Sequence, residues 1–175
     1  MKNFKKMLAY FSVASIAFAA SAIAGEGEMP KVRIGTYDSR AIAVAYAASQ
    51  FNPVKAKIEE YERAKAAGDD AIVKELEAWG ADHQRQLHFQ GFGRVPVDDL
   101  LKHVQQGISG LAESERLAAI TMQCDYTSDV VEIVDVTDAL VKLYNPSERT
   151  LEHIRNLRKV APLPLIQLGN LPADQ

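Results

Sequence analysis

Residues Val54–Leu87 read VKAKIEEYERAKAAGDDAIVKELEAWGADHQRQL. Val54, Ile58, Tyr61 and Ala64 recur in it at helical spacing, while Glu59, Glu60, Glu62 and Arg63 take the other faces. Gly68-Asp69-Asp70 then interrupts the pattern. A glycine ends a helix readily, and an aspartate oxygen accepts from the free N–H groups of the next one. Ile72, Leu76, Trp79, His83 and Leu87 form a second stripe at spacings of 4, 3, 4 and 4. Two amphipathic helices joined by so tight a turn make an antiparallel helical hairpin, here spanning 53–90. Asn52-Pro53 opens it as cap and first helical residue, and Gly91-Phe92-Gly93 with Pro96 closes it. Each arm is roughly 15–20 residues, near the marginal length for a helix standing alone in water. Tyr61, Ile72, Leu76 and Trp79 therefore need cover, from the other arm, the body or another subunit. The stripe reads first as the hairpin's own core. The same four residues are also the candidate partner-binding residues, Trp79 foremost, because aromatic anchors dominate interface energetics.

Outward from the hairpin the texture changes. Val32, Ile34 and Thr36 alternate with Lys31, Arg33 and Gly35, the pattern of a half-buried strand over Lys31–Tyr37. Asp38 or Ser39 caps the helix that follows, and Ala41–Ala48 is apolar all round, which predicts burial. Beyond the hairpin, Asp98 is placed to cap a third long helix with a stripe of Leu101, Val104, Ile108 and Leu111. Gly107 and Gly110 interrupt it, and close backbone approach is a reason for glycine there. Leu117–Met122 and Val130–Val136 are two further strand signals. A short helix over Ala139–Tyr144 follows, then one opened by Asn145-Pro146 and running to about Lys159. Pro162, Pro164 and Pro172 make the end a Pro-rich extended tail, 161–175. The expected fold is α+β and helix-rich: a small three-stranded sheet body, gathered from strands far apart in sequence, with the antiparallel helical hairpin projecting from it.

The first thirty residues read as an address. Lys2, Lys5 and Lys6 precede an apolar run from Met7, no acidic residue appears before Glu26, and Ala22-Ile23-Ala24 offers small residues at a cleavage site. That order is a secretory signal peptide over 1–24, cleaved after Ala24, followed by a leader over 25–30. Cleavage leaves 151 of the 175 residues, with 17 basic side chains against 23 acidic and a net charge of −6. The expected location is periplasmic or otherwise exported.

The order of elements resembles the Skp/OmpH-like family of exported periplasmic chaperones. The likeness is carried by the opening strand Lys31-Val32-Arg33-Ile34-Gly35-Thr36-Tyr37-Asp38 and by Ala118-Ala119-Ile120-Thr121-Met122. The third stretch is Val134-Asp135-Val136-Thr137-Asp138-Ala139-Leu140-Val141, which is similar to the family's closing helix start. It covers roughly Lys31–Asn145. The resemblance implies a domain over 31–160 that self-associates as a trimer through its β-body. The arms would then surround a space that holds unfolded outer-membrane proteins. The function so implied is holdase binding of unfolded envelope proteins. The alternative is a non-catalytic periplasmic scaffold of the same fold.

Other chemistries fit less well. An acidic chain without clustered positive charge lacks the footprint of a nucleic-acid binder. One cysteine, Cys124, excludes an intramolecular disulfide and a cysteine-based zinc site. His83 and His88 stand five residues apart, about 140° around a helix, so they do not form the i, i+4 pair that zinc prefers. Asp38 follows a strand and Asp135, with Asp138 beside it, lies near the end of another, where a carboxylate pair serves acid–base chemistry if burial separates the two pKa values. Each also stands at a helix start, where aspartate caps, and capping is the favoured reading. No catalytic residue, metal or cofactor is therefore expected.

Overall fold

The computed structural model describes residues 31–168. The expected signal peptide over 1–24, the leader over 25–30 and the last seven residues of the expected tail lie outside the described residues. β1 (Val32–Thr36) is the middle strand of a three-stranded sheet, with β2 (Leu117–Thr121) on one side and β3 (Val131–Asp135) on the other. All pairings are parallel, Gly35 facing Ile120 on one neighbour and Val134 on the other. The protein is thus α+β and helix-rich, a small sheet body bearing a helical hairpin.

One face of the sheet meets the helices. A side chain at Gly35 would come within 3.0 Å of Leu117 and 3.1 Å of Val136, so glycine lets β1 approach its neighbours' side chains. α1 (Ser39–Ala47) leaves β1 directly and lies at the centre, with Ala41, Ile42 and Ala45 fully buried. Its N-cap is Asp38, whose side chain accepts from the Arg40 N–H. Around α1 the core gathers Val97, Leu100, Val136, Leu140, Val141, Tyr144 and Ile154.

The hairpin is α2 (Val54–Ala67) and α3 (Asp70–Phe92). Gly68 closes α2 in the left-handed region at φ 71°, and Asp69 caps α3 by accepting from the Ile72 N–H at 3.2 Å. α2 packs on α3, and α3 also packs on α1 and on the last helical turn. The second arm therefore belongs to the body as well as to the hairpin, which is why it is the longer of the two.

After the hairpin the structure departs from the periodic reading. The single helix expected from Asp98 is three pieces: α4 (Asp98–Leu101), a 3-10 turn (Lys102–Val104) and α5 (Gln105–Ser114). Asp98 is the first helical residue and not a cap, since Val97 occupies that position without a side-chain bond. The break lets Leu100 and Val104 both reach the core. Gly107 has a packing reason, because a Cβ there would meet Leu143 at 2.7 Å, whereas Gly110 faces open space. α6 (Thr137–Lys142) and α7 (Glu148–Leu157) follow β3, the latter capped by Ser147. The proline-rich end is not wholly extended: Leu165–Leu168 forms a turn of helix, α8, whose Leu168 is buried against Gly93. Among the described residues, no helix is long and apolar enough to cross a membrane.

Candidate functional site

A groove of about 730 Å³ runs between the hairpin and the body. Ala43, Val44 and Ala47 of α1 form its floor, Val54, Ile58 and Tyr61 of α2 one wall, and Leu76 through Phe92 of α3 the other. His153 and Leu157 of α7 complete the lining. The lining is overwhelmingly apolar. Its size falls within the range of ordinary ligand pockets, roughly 300–1,000 Å³.

Three of the four expected binding residues meet here. Tyr61, Leu76 and Trp79 line the groove, while Ile72 does not: it sits in the first turn of α3, near the hairpin's tip, and is 39% exposed. Leu76 is buried and acts as hairpin core. The Tyr61 hydroxyl donates to the Glu77 carboxylate at 3.2 Å across the two arms. Trp79 stacks on His83, with ring centroids 4.8 Å apart and planes at 15°, and the Lys57 ammonium lies 5.9 Å from the Trp79 ring. The His83 Nε2 bonds Asn52 Oδ1 at 3.0 Å, an oxygen that also accepts from the Val54 N–H, so the imidazole ties α3 to the start of α2. Burial lowers the His83 pKa, since a desolvated ring resists protonation.

The residues missed by helical spacing are His88, His153, Gly80 and Gly91. His83 and His88 do point about 140° apart, yet the groove wraps far enough round α3 to take in both. Gly80 and Gly91 lie eleven residues apart, about 20° from exact alignment on one face, and both line the groove with nothing within 4 Å of a Cβ built there. Only α7's docking brings His153 to this place.

A second, polar cluster occupies the C-terminal ends of β1 and β3. The Arg40 guanidinium bonds both oxygens of Asp38, at 3.0 and 2.7 Å, and donates to the Val160 carbonyl at 2.8 Å. The Asp38 N–H donates to Thr137 Oγ1, and the Thr137 N–H donates to Asp135 Oδ1. Arg158 bridges Asp135 and Asp138. Burial opposes ionisation of Asp38, but the hydrogen bonds and charge of Arg40, with Arg94 behind them, hold its carboxyl below the ordinary value. Asp135 behaves alike: burial opposes ionisation, and Thr137 and Arg158 outweigh it. Each carboxylate has its own arginine and its own capped backbone. The two are therefore held ionised together, with no separation into acid and base, and the cluster's visible work is joining strand ends to helix starts. Among the described residues, no group of three or more His, Cys, Asp or Glu side chains is placed to hold a metal ion.

Comparison with known proteins finds no matching family model, no matching curated protein and no matching solved structure.

Proposed function

We propose that this protein is an exported, non-enzymatic binding protein of the Skp/OmpH type that holds apolar segments of unfolded envelope proteins between its hairpin and its body. The observation that carries this reading is the apolar groove, with Trp79 and Tyr61 on facing arms. A folded monomer that leaves so large an apolar concavity in water forgoes stabilisation that closure would supply, which marks the surface as one for binding. The glycines point the same way. A helix-interior glycine such as Gly80 costs about 1 kcal/mol against alanine, and neither there nor at Gly91, in the last turn of α3, does packing within the described chain require glycine. What they keep is a clear groove.

The test uses the processed protein and an unfolded porin diluted from urea. Stoichiometric protein suppresses the porin's light scattering, and Gly80→Leu with Gly91→Leu abolishes the suppression. Because both positions face open space, these substitutions fill the groove while the helix gains propensity, so the urea midpoint holds or rises. Scattering unchanged by the parent protein, or suppression that survives a filled groove, removes the reading. A scaffold role gains support only from the outer face of the sheet, where Val32 and Ile133 remain 48% and 41% exposed. Assembly without any effect on the porin would favour it.

A further inference from the structure

The chain has four histidines, and three of them line one groove. His83 and His88 come from α3 and His153 from α7. The fourth, His103, lies elsewhere, stacked 5.4 Å from the Phe51 ring. The other charged groups lining the groove are already engaged. Lys57 of α2 is bonded to Glu60 at 2.8 Å, and Glu77 of α3 accepts from the Tyr61 hydroxyl at 3.2 Å. α1 contributes Ala43, Val44 and Ala47, with no charge at all. At neutral pH such a lining matches an uncharged apolar segment, because no ion is left facing the occupant without its own partner. Imidazole is the side chain whose charge ordinarily changes between about pH 5 and 8.

We propose that the groove receives an uncharged apolar polypeptide segment at neutral pH and releases it on acidification, His83, His88 and His153 supplying the charge that switches. This rests on the groove being the binding site. The coupling follows from desolvation. An apolar occupant removes water from the three imidazoles and so favours their neutral form. Binding and protonation then oppose each other, and by linkage affinity falls as pH falls through the imidazole range. His83 already shows the direction, its pKa lowered by partial burial before any occupant arrives.

The experiment is a peptide titration read by fluorescence. The probe is a blocked peptide of leucine, alanine and glutamine, which has no titratable group. The reporter is Trp79, the only tryptophan in the chain. The expected dissociation constant at about pH 5 is at least about fivefold weaker than at about pH 7.5, since a shift of one pKa unit in a single imidazole weakens binding by at most about tenfold. Replacing His83, His88 and His153 together by glutamine brings the ratio of the two constants to near one, whereas His103→Gln keeps the parent ratio. Acid also quenches Trp79 through the stacked His83, and peptide moves the midpoint of that quenching to lower pH. No saturable binding at neutral pH overturns both the groove's role and this inference. Saturable binding with equal constants at the two pH values leaves the groove standing and overturns the switch. So does a ratio that survives in the triple variant or vanishes in His103→Gln.

Discussion

Asp38 is a residue with three tasks. It caps α1, it neutralises Arg40, and its own backbone N–H donates to Thr137 just beyond the neighbouring strand β3. The ion pair is almost out of water, with 5% of the Arg40 side chain and 14% of the Asp38 side chain exposed. Removing one partner of such a pair strands the other's charge. Asp38→Asn is therefore expected to cost about 3 kcal/mol, read from urea denaturation, within the usual range for a broken buried pair. Asp82→Asn is the control: its pair with Arg85 is largely exposed, and the midpoint stays put. The pH dependence has a definite sign. Asp38 and Asp135 both have folded pKa values below their unfolded ones, so the unfolded chain binds protons first. Their stabilisation is complete above about pH 4 and is lost as pH falls through the folded values. An acid denaturation profile that stays flat below that point would contradict the assignment. Tyr144→Phe probes a different kind of burial. It removes the hydroxyl that donates to the Leu100 carbonyl at 2.9 Å, one buried side-chain hydrogen bond, at a cost of about 0.5–1.5 kcal/mol in the same assay.

At the scale of elements, glycine separates what spacing can and cannot disclose. Gly93, Gly107 and Gly110 look alike in the sequence, yet their surroundings differ. A Cβ at Gly93 would stand 2.5 Å from Leu168 and 2.9 Å from the Phe89 carbonyl oxygen, and one at Gly107 would stand 2.7 Å from Leu143. Gly110 meets nothing. Gly110→Ala should therefore raise the melting temperature, by the roughly 1 kcal/mol that alanine gains in a helix. Gly93→Ala and Gly107→Ala should lower it, Gly93→Ala most, because a backbone oxygen cannot swing aside as a leucine tip can. Equal shifts at all three positions would show that packing does not distinguish them. The hairpin and the strands were legible because their signals are local: a period of 3.6, a period of 2, and a Gly-Asp-Asp break. The kink between α4 and α5 was not, since the stripe of Leu101, Val104 and Ile108 runs straight through it and only core packing rewards the 3-10 turn. Half the groove was legible for the same reason. Tyr61, Leu76 and Trp79 share the hairpin's inner stripe, whereas His153 joins them only through α7's docking on α1, a contact that no local pattern encodes.

At the scale of the whole molecule the sheet poses a question that the helices do not answer. Parallel sheets are normally covered on both faces, because their strands are apolar on both sides. Here Gly35, Leu117, Ile120 and Val134 serve the helical face, and Val32, Ile34, Val131 and Ile133 make the other. That second face keeps Val32 and Ile133 substantially in water, and Val130 beside them is half exposed. β2 and β3 are both edge strands, each with one side unpaired within the sheet. An apolar face flanked by open edges is the surface by which copies of such a body would associate. Light scattering on a chain beginning at Gly25, at micromolar concentration, is expected to give a mass above that of one chain. Ile133→Lys places a charge on that face, midway along the edge strand β3, where the side chain is already 41% exposed and folds without burying an ion. That variant should run as a monomer with an unchanged urea midpoint at low concentration. A parent protein of single-chain mass would dispose of the assembly. A variant that loses mass only by unfolding would move the contact elsewhere, and the hairpin, whose tip exposes Ile72, would be the next place for it.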